Sequence, residues 1–179
     1  MVSLIEPHFW DNIKRQIDGD FGEGVTQQLL GDRAPVVIDR GKKQSVYFIP
    51  MDWVQLVDSS FGGFRLRYLG TWLGEMSGDT FMLSIGVLAQ LEPLTDSKIV
   101  VYRRGAEAFT YGRSIIKESV LSLPDHLRRG QRVLVIDENG SCIGLAALAV
   151  DAALLNRLGA EKLVAKNLVD IGWYLRRYG

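Results

Sequence analysis

From Lys98 onward the chain breaks into short β-type runs with little sequence between them, and that spacing limits the folds open to it more than any other feature. The runs are Lys98–Tyr102, Ile115–Val120, Arg132–Asp137, Ile143–Ala149 and Leu163–Leu168, punctuated by glycines at 105, 112, 130, 140, 144 and 159. Frequent short strands with turn signals between them point to a small β-barrel rather than a βαβ sheet. Glu138–Asn139–Gly140 reads as a hairpin turn, because Asn-Gly tolerates the positive φ angles of a tight connection. Asp170 is a good N-cap for a short terminal helix, IGWYLRRY.

Upstream the pattern differs. Phe9, Ile13 and Ile17 form the i, i+4, i+8 stripe of a helix, with Glu6-Pro7 suited to its first turn and Gly19 to Gly24 ending it. Ala34–Asp39 and Ser45–Ile49 are strands joined by the basic tip Arg40–Lys43. Met51–Val57 reads as a short helix and Ser59–Gly63 as a turn. Leu66–Met76 and Thr80–Ser84 read as strands, followed by an apolar helix over Ile85–Leu91 that Pro93 closes. The polar, proline-containing stretch Glu92–Ser97 is the best candidate for a linker. The expected fold class is therefore α+β: an N-terminal α/β domain over 1–94, with an antiparallel sheet and helices, then a small mixed β-barrel over 95–179.

Charge carries information only when it is located. Over the 179 residues, 21 Lys and Arg balance 21 Asp and Glu, which alone would argue against a nucleic-acid partner. Residues 1–95 hold 8 basic and 12 acidic side chains, a net of −4, and residues 96–179 hold 13 basic and 9 acidic, a net of +4. The neutrality is a cancellation, and a basic half is a compositional hint of polyanion binding. Its arginines also come in pairs: Arg103-Arg104, Arg128-Arg129 and Arg176-Arg177.

Other classes find little support. Cys142 is the single cysteine and His8 and His126 the two histidines, so no disulfide or Cys/His metal set is expected, and a reducing compartment is. The N-terminus lacks a signal-peptide pattern, and the most apolar stretch, around Phe81–Leu91, falls short of the ~20 residues of a membrane span. A soluble, intracellular protein is expected. No phosphate-binding glycine loop, G-x-S-x-G elbow or H-E-x-x-H pair is present, so neither catalysis nor a cofactor is expected. Cys142 reads as a small apolar filler rather than a nucleophile.

Several motifs carry a resemblance. Lys98–Val120, KIVVYRRGAEAFTYGRSIIKESV, resembles the opening of a PUA domain, and GQRVLVIDENGSCIGLAALA resembles its central strand pair. PUA domains are small RNA-binding pseudo-barrels. With GTWLGEM and TFMLSIGVLAQLEPL over 70–94, FTYGRSIIKES over 109–119 and DIGWYLRR over 170–177, the chain is similar to the Nip-seven family of large-ribosomal-subunit biogenesis factors over nearly its whole length. Glu75, the Phe81–Ser84 run and Trp173 depart from the family pattern and suggest an archaeal-type member, hence a cytoplasmic one; a eukaryotic member would be nucleolar. The resemblance implies a non-catalytic factor that binds unpaired precursor large-subunit rRNA through its PUA face. It further implies an N-terminal domain that docks other ribosome-assembly proteins, and a monomer is expected. The alternatives are an RNA-modifying enzyme that uses the PUA domain to position substrate, and a protein-binding adaptor.

Gly112 matches the family's tyrosine-glycine turn, where a missing side chain would let RNA approach the backbone; a glycine required by a tight turn is an equal reading. Arg113 and Lys117, four apart in an extended segment, should share one strand face, and so should Lys162 and Lys166. Arg103 and Arg104, at the end of the first strand, should point to opposite faces, with one reaching RNA. In the terminal helix Ile171, Leu175 and Tyr178 should dock on the barrel. Trp173, Arg176 and Arg177, at i, i+3, i+4, would make a stacking platform beside phosphate contacts, unless Trp173 packs over a gap in the barrel.

Overall fold

The computed structural model describes residues 2–39, 41, 43–57 and 69–173. They fall into two compact units, one of Met1–Gly19 and Glu23–Leu91 and one of Asp20–Gly22 and Glu92–Gly179.

In the first unit, strand β1 (Val2–Leu4) precedes helix α1 (Pro7–Phe21) and helix α2 (Val25–Leu30). Strands β2 (Arg33–Asp39) and β3 (Gln44–Pro50) follow, then a 3₁₀ turn at Met51–Trp53 and helix α3 (Val54–Val57). Strands β4 (Thr71–Ser77) and β5 (Thr80–Leu83) and helix α4 (Ile85–Leu91) complete it. The sheet runs β1-β2-β3-β4-β5 and is antiparallel at every pairing. The helical stripe does what its spacing predicts, since Ile13 and Ile17 are fully buried. From the same helix Gln16 reaches the sheet edge, where its Nε2 donates to the Asp79 carbonyl at 2.9 Å and its Oε1 accepts from the Phe81 amide at 2.9 Å.

The first unit departs from expectation in two places. The strand expected over 66–76 begins at Thr71, because Gly70 takes a φ of 66° and a Cβ there would lie 2.3 Å from the Phe48 carbonyl oxygen; residues 66–68 and the expected turn at 59–63 lie outside the described residues. The fourth helix has the expected bounds, Ile85–Leu91, and passes into a 3₁₀ turn over Glu92–Leu94 that contains Pro93. Strand β1 and helix α2 were not anticipated; Thr26, Gln27 and Gln28 blur the apolar period of α2, which is anchored by Asp18 accepting from the Thr26 amide at 2.8 Å and hydroxyl at 2.6 Å.

The second unit contains β6 (Lys98–Val101), α5 (Arg103–Thr110), β7 (Ile115–Ile116), a 3₁₀ turn at Lys117–Ser119 and β8 (Val120–Ser122). Then come β9 (Arg132–Asp137), β10 (Cys142–Leu148), a 3₁₀ segment at Ala152–Arg157, and β11 (Leu163–Asp170). The sheet order is β7-β11-β10-β9-β6-β8, with β6 and β9 parallel and the other pairings antiparallel. Its two edge strands, β7 and β8, are separated in sequence only by Lys117–Ser119, so the sheet must curl until its edges nearly meet. The result is a nearly closed, mixed six-stranded barrel filled by Ile99, Val101, Phe109, Ile115, Leu127, Val133, Val135 and their neighbours. The α+β expectation holds.

The run expected as one strand, Ile115–Val120, is therefore two short strands around a turn, and Lys-Glu-Ser at its centre has weak strand propensity. The Asp137–Ser141 hairpin also differs in detail: Gly140 has a φ of 85° while Asn139 keeps φ negative. The Asp137 carboxylate instead ties the loop by accepting from the Asn139 amide at 2.9 Å and the Ser141 amide at 2.8 Å.

One ion pair of this unit is largely withdrawn from water. Arg132 is only 9% exposed, its Nε donates to Asp20 Oδ2 and its backbone amide to Asp20 Oδ1 at 3.0 Å. Removing one partner of such a pair strands the other charge, which typically costs about 3–5 kcal/mol. Asp20→Ala is therefore expected to lower stability by about 3 kcal/mol in urea unfolding, whereas Asp11→Ala, on the exposed face of α1, should leave the unfolding midpoint nearly unchanged.

Candidate nucleic-acid interface

Helix α5 lies against the barrel through two contacts that exclude a side chain on one partner. At Gly105 a Cβ would approach Ser119 Cβ to 2.7 Å, so the first turn of the helix rests directly on the turn that closes the barrel. Near the other end Phe109, fully buried, covers Gly144, where a Cβ would lie 2.8 Å from the ring and 2.3 Å from the Val169 carbonyl oxygen. The helix then stops on a left-handed glycine: Gly112 has a φ of 86°, its amide donates to the Phe109 carbonyl at 2.9 Å, and the Arg113 amide donates to the Ala108 carbonyl at 3.1 Å.

This exit turn is fastened to β11. Asn167 Nδ2 donates to the Phe109 carbonyl at 2.9 Å and to Asp170 Oδ2 at 3.2 Å, and lies 3.5 Å from the Arg113 carbonyl. Asp170 Oδ1 accepts from the Trp173 amide at 2.8 Å, the capping bond expected of that aspartate. One asparagine thus links the end of α5, the Gly112-Arg113 turn, β11 and the start of the terminal helix. Tyr111, Gly112, Arg113 and Ser114 are all exposed at this junction.

The basic residues distribute along the seam between β7 and β11, though not by the strand parity expected. Arg113 precedes β7 and Lys117 opens a 3₁₀ turn, so they do not share a strand face. Lys117 instead meets Lys162, its amide donating to the Lys162 carbonyl at 2.9 Å. Lys162 sits just before β11, and register shifts within that strand, at Leu163/Ala165 against β7, break its parity with Lys166. Both are nevertheless exposed, and Lys117 is half-buried. Arg103 and Arg104 open α5 rather than ending β6, since the strand stops at Val101. They therefore lie at the far end of the helix from Gly112. There the Arg103 Nε donates to Glu107 at 3.1 Å and its amide to Glu138 at 3.1 Å.

In the terminal segment Trp173 and Ile171 are each 39% exposed. The docking expected of Ile171 is thus only partial, and Trp173 is not a buried plug. Leu175, Arg176, Arg177 and Tyr178 lie outside the described residues.

Reading the sequence alone missed Tyr111, Ser114 and Asn167. The tyrosine-glycine pair was a visible signal for Tyr111. No local signal marks Asn167, whose role arises from its pairing across the fold. Among the described residues no group of three His, Cys, Asp or Glu side chains could hold a metal ion, and no helix is long and apolar enough to cross a membrane.

Comparison with known proteins falls on the same unit. Residues 97–179 match the family model described as the UPF0113 PUA domain. The barrel is a UPF0113-type PUA domain. The likeness extends beyond it: the 60S ribosome subunit biogenesis protein NIP7 of Saccharomyces cerevisiae is 29% identical over 162 residues, 90% of this chain and 88% of that protein. A UPF0113 protein of Aeropyrum pernix is 29% identical over 143 residues, 78% of this chain and 72% of its own. The similarity to the Nip-seven family is thus present in both halves. Among solved structures, a hypothetical protein from Pyrococcus horikoshii superposes with a TM-score of 0.67 at 12% identity, covering 98% of this chain and 99% of its own. A conserved PUA domain protein from Thermoplasma acidophilum gives 0.63 at 14% identity, with both chains fully covered. At these identities the structures speak for the fold alone.

Two predictions follow from the geometry of the PUA domain. Burial pushes the Cys142 thiol above its ordinary range, so its thiolate is scarcer at any neutral pH than that of a free cysteine. Alkylation by iodoacetamide at pH 8 should be slower than that of glutathione, and its rate should keep rising at pH values where glutathione has levelled off. Asn167→Ala should cost about 1–2 kcal/mol in urea unfolding, because the Phe109 and Arg113 carbonyls lose a common donor.

Proposed function

We propose that this protein is a non-catalytic RNA-binding factor of large-ribosomal-subunit assembly. Its PUA domain binds unpaired segments of precursor large-subunit rRNA, and its N-terminal unit docks other assembly proteins. The observation that carries the reading is the pinned turn at Gly112-Arg113. There Asn167 ties the bare backbone of Gly112 and the exposed Arg113 to β11, and Asp170, which accepts from Asn167, also accepts from the backbone amide of the exposed Trp173. Basic side chains continue from this turn along one seam, with Lys166 on β11 and Lys117 beside Lys162 beyond it. A line of separated cations beside aromatic rings suits a single strand, whose phosphates release counterions as they are neutralised and whose unpaired bases stack. The yeast relative, named a 60S ribosome subunit biogenesis protein, supports the assembly context. The −4 balance of residues 1–95 suits partners other than nucleic acid. A member of this kind works where ribosomal subunits are assembled, in the cytoplasm of an archaeal cell or the nucleolus of a eukaryotic one.

Salt titration of binding to a short single-stranded RNA tests the surface. Four contacts, from Arg113, Lys117, Lys162 and Lys166, at roughly 0.7 each give a slope of log K against log salt near −2.8. Removing two of them, with Arg113→Ala and Lys166→Ala together, should bring it to about −1.4, while Arg103→Ala should leave it unchanged. Crosslinking in cells should recover precursor large-subunit rRNA; recovery of unrelated RNAs alone would refute the assembly reading.

A further inference from the structure

Tyr111 is 78% exposed, which is unusual for so large an apolar surface. Nothing about its position is loose. It is the C-cap of α5, with φ −91° and ψ 12°, and its amide donates to the Ala108 carbonyl at 3.2 Å. On its N-terminal side Phe109 is locked over Gly144, and on its C-terminal side Gly112 and Arg113 are tied back to Phe109 and Ala108. Asn167 grips the turn on both sides of the tyrosine, through the Phe109 carbonyl at 2.9 Å and the Arg113 carbonyl at 3.5 Å. An aromatic ring is held out into water on a fixed backbone.

The neighbours decide what such a ring is for. Gly112, Arg113 and Ser114, the next three residues, are exposed and polar or bare, so on its C-terminal side the ring is continued by polar surface and bare backbone rather than by apolar side chains. An exposed arginine follows two residues on, after a glycine that leaves room at the backbone. A flat π face with a cation so close in the chain matches a nucleotide, which offers a flat base and a phosphate. The ring has only two side-chain torsions to immobilise, so stacking would cost little entropy.

We propose that Tyr111 is a stacking residue that holds one unpaired base of the bound RNA against its ring, with the adjoining phosphate at Arg113. This rests on the RNA-binding reading above. Because every base has a π face, the contact fixes the position of the strand on the domain rather than its sequence.

The test uses the full-length protein and a short fluorescein-labelled single-stranded RNA, with binding followed by anisotropy. Tyr111→Phe should bind as the wild type. Tyr111→Ala and Tyr111→Leu should each weaken binding by about tenfold, within the roughly 5- to 150-fold range of one stacked base, while the salt slope stays unchanged because no phosphate contact is lost. A scan of the RNA with single abasic positions should reveal one position at which base removal weakens wild-type binding but does not weaken Tyr111→Ala further. The thermal midpoint should be the same in all four proteins, given the exposure of the side chain. Wild-type affinity in Tyr111→Ala, a Leu variant as good as Phe, or a loss accompanied by a shallower salt slope would each overturn the proposal while leaving the RNA-binding reading standing. Failure of the wild type to bind any single-stranded RNA would overturn both.

Discussion

The PUA unit depends on one local event, the conversion of an extended run into a turn at Lys117–Ser119. Without it β7 and β8 would be a single strand and the sheet would have two open edges. With it, the same few residues supply both edges, and the amides of Lys117 and Glu118 are taken by the carbonyls of Lys162 and Ala160 at 2.9 Å each. Ser119 then serves a second purpose. Its side chain is the surface on which Gly105 lands, so the closure of the barrel also sets the height of α5 above it. Everything presented by the end of that helix, Tyr111 and Gly112 included, inherits its position from this turn.

The net +4 of residues 96–179 overstates the free positive charge of the domain. Arg132 is nearly enclosed with Asp20, Lys98 bridges to Glu92, and Arg103 bridges to Glu107. The exposed pair at Arg103 contributes little to stability, but it sets an anion beside a cation and dilutes that end of the helix as a phosphate site. The basic surface is smaller than the count suggests, with exposed Arg113, Lys162 and Lys166 around the β7–β11 seam and Arg104, Arg128, Arg129 and Arg157 elsewhere on the domain.

Much of the fold was legible in the sequence because local signals and tertiary structure agree. The stripe Phe9, Ile13, Ile17 gave α1, the paired β-branched runs gave β2 and β3, and Arg132–Asp137 is a strand with the bounds its pattern indicates. Where the two diverge, the cause is pairing at a distance. Nothing in Ile115–Val120 announces that its two ends join opposite edges of one sheet. The parity argument for Lys162 and Lys166 failed because bulges in β11 are set by its partners rather than by its own residues. The arginines of α5 were misplaced by one element because Val101 and Tyr102 continue a strand pattern that the helix interrupts. Of the candidate site, Gly112 and Arg113 were visible as a motif, whereas Asn167 could be found only from the contacts it makes.

The Gln16 contact in the first unit has a consequence for how that sheet meets other chains. Its amide group occupies the Asp79 carbonyl and the Phe81 amide, the backbone groups that an incoming strand would need along β5. A single side chain from α1 thus acts as a mock strand one residue long, and blunts that edge as a template for runaway assembly.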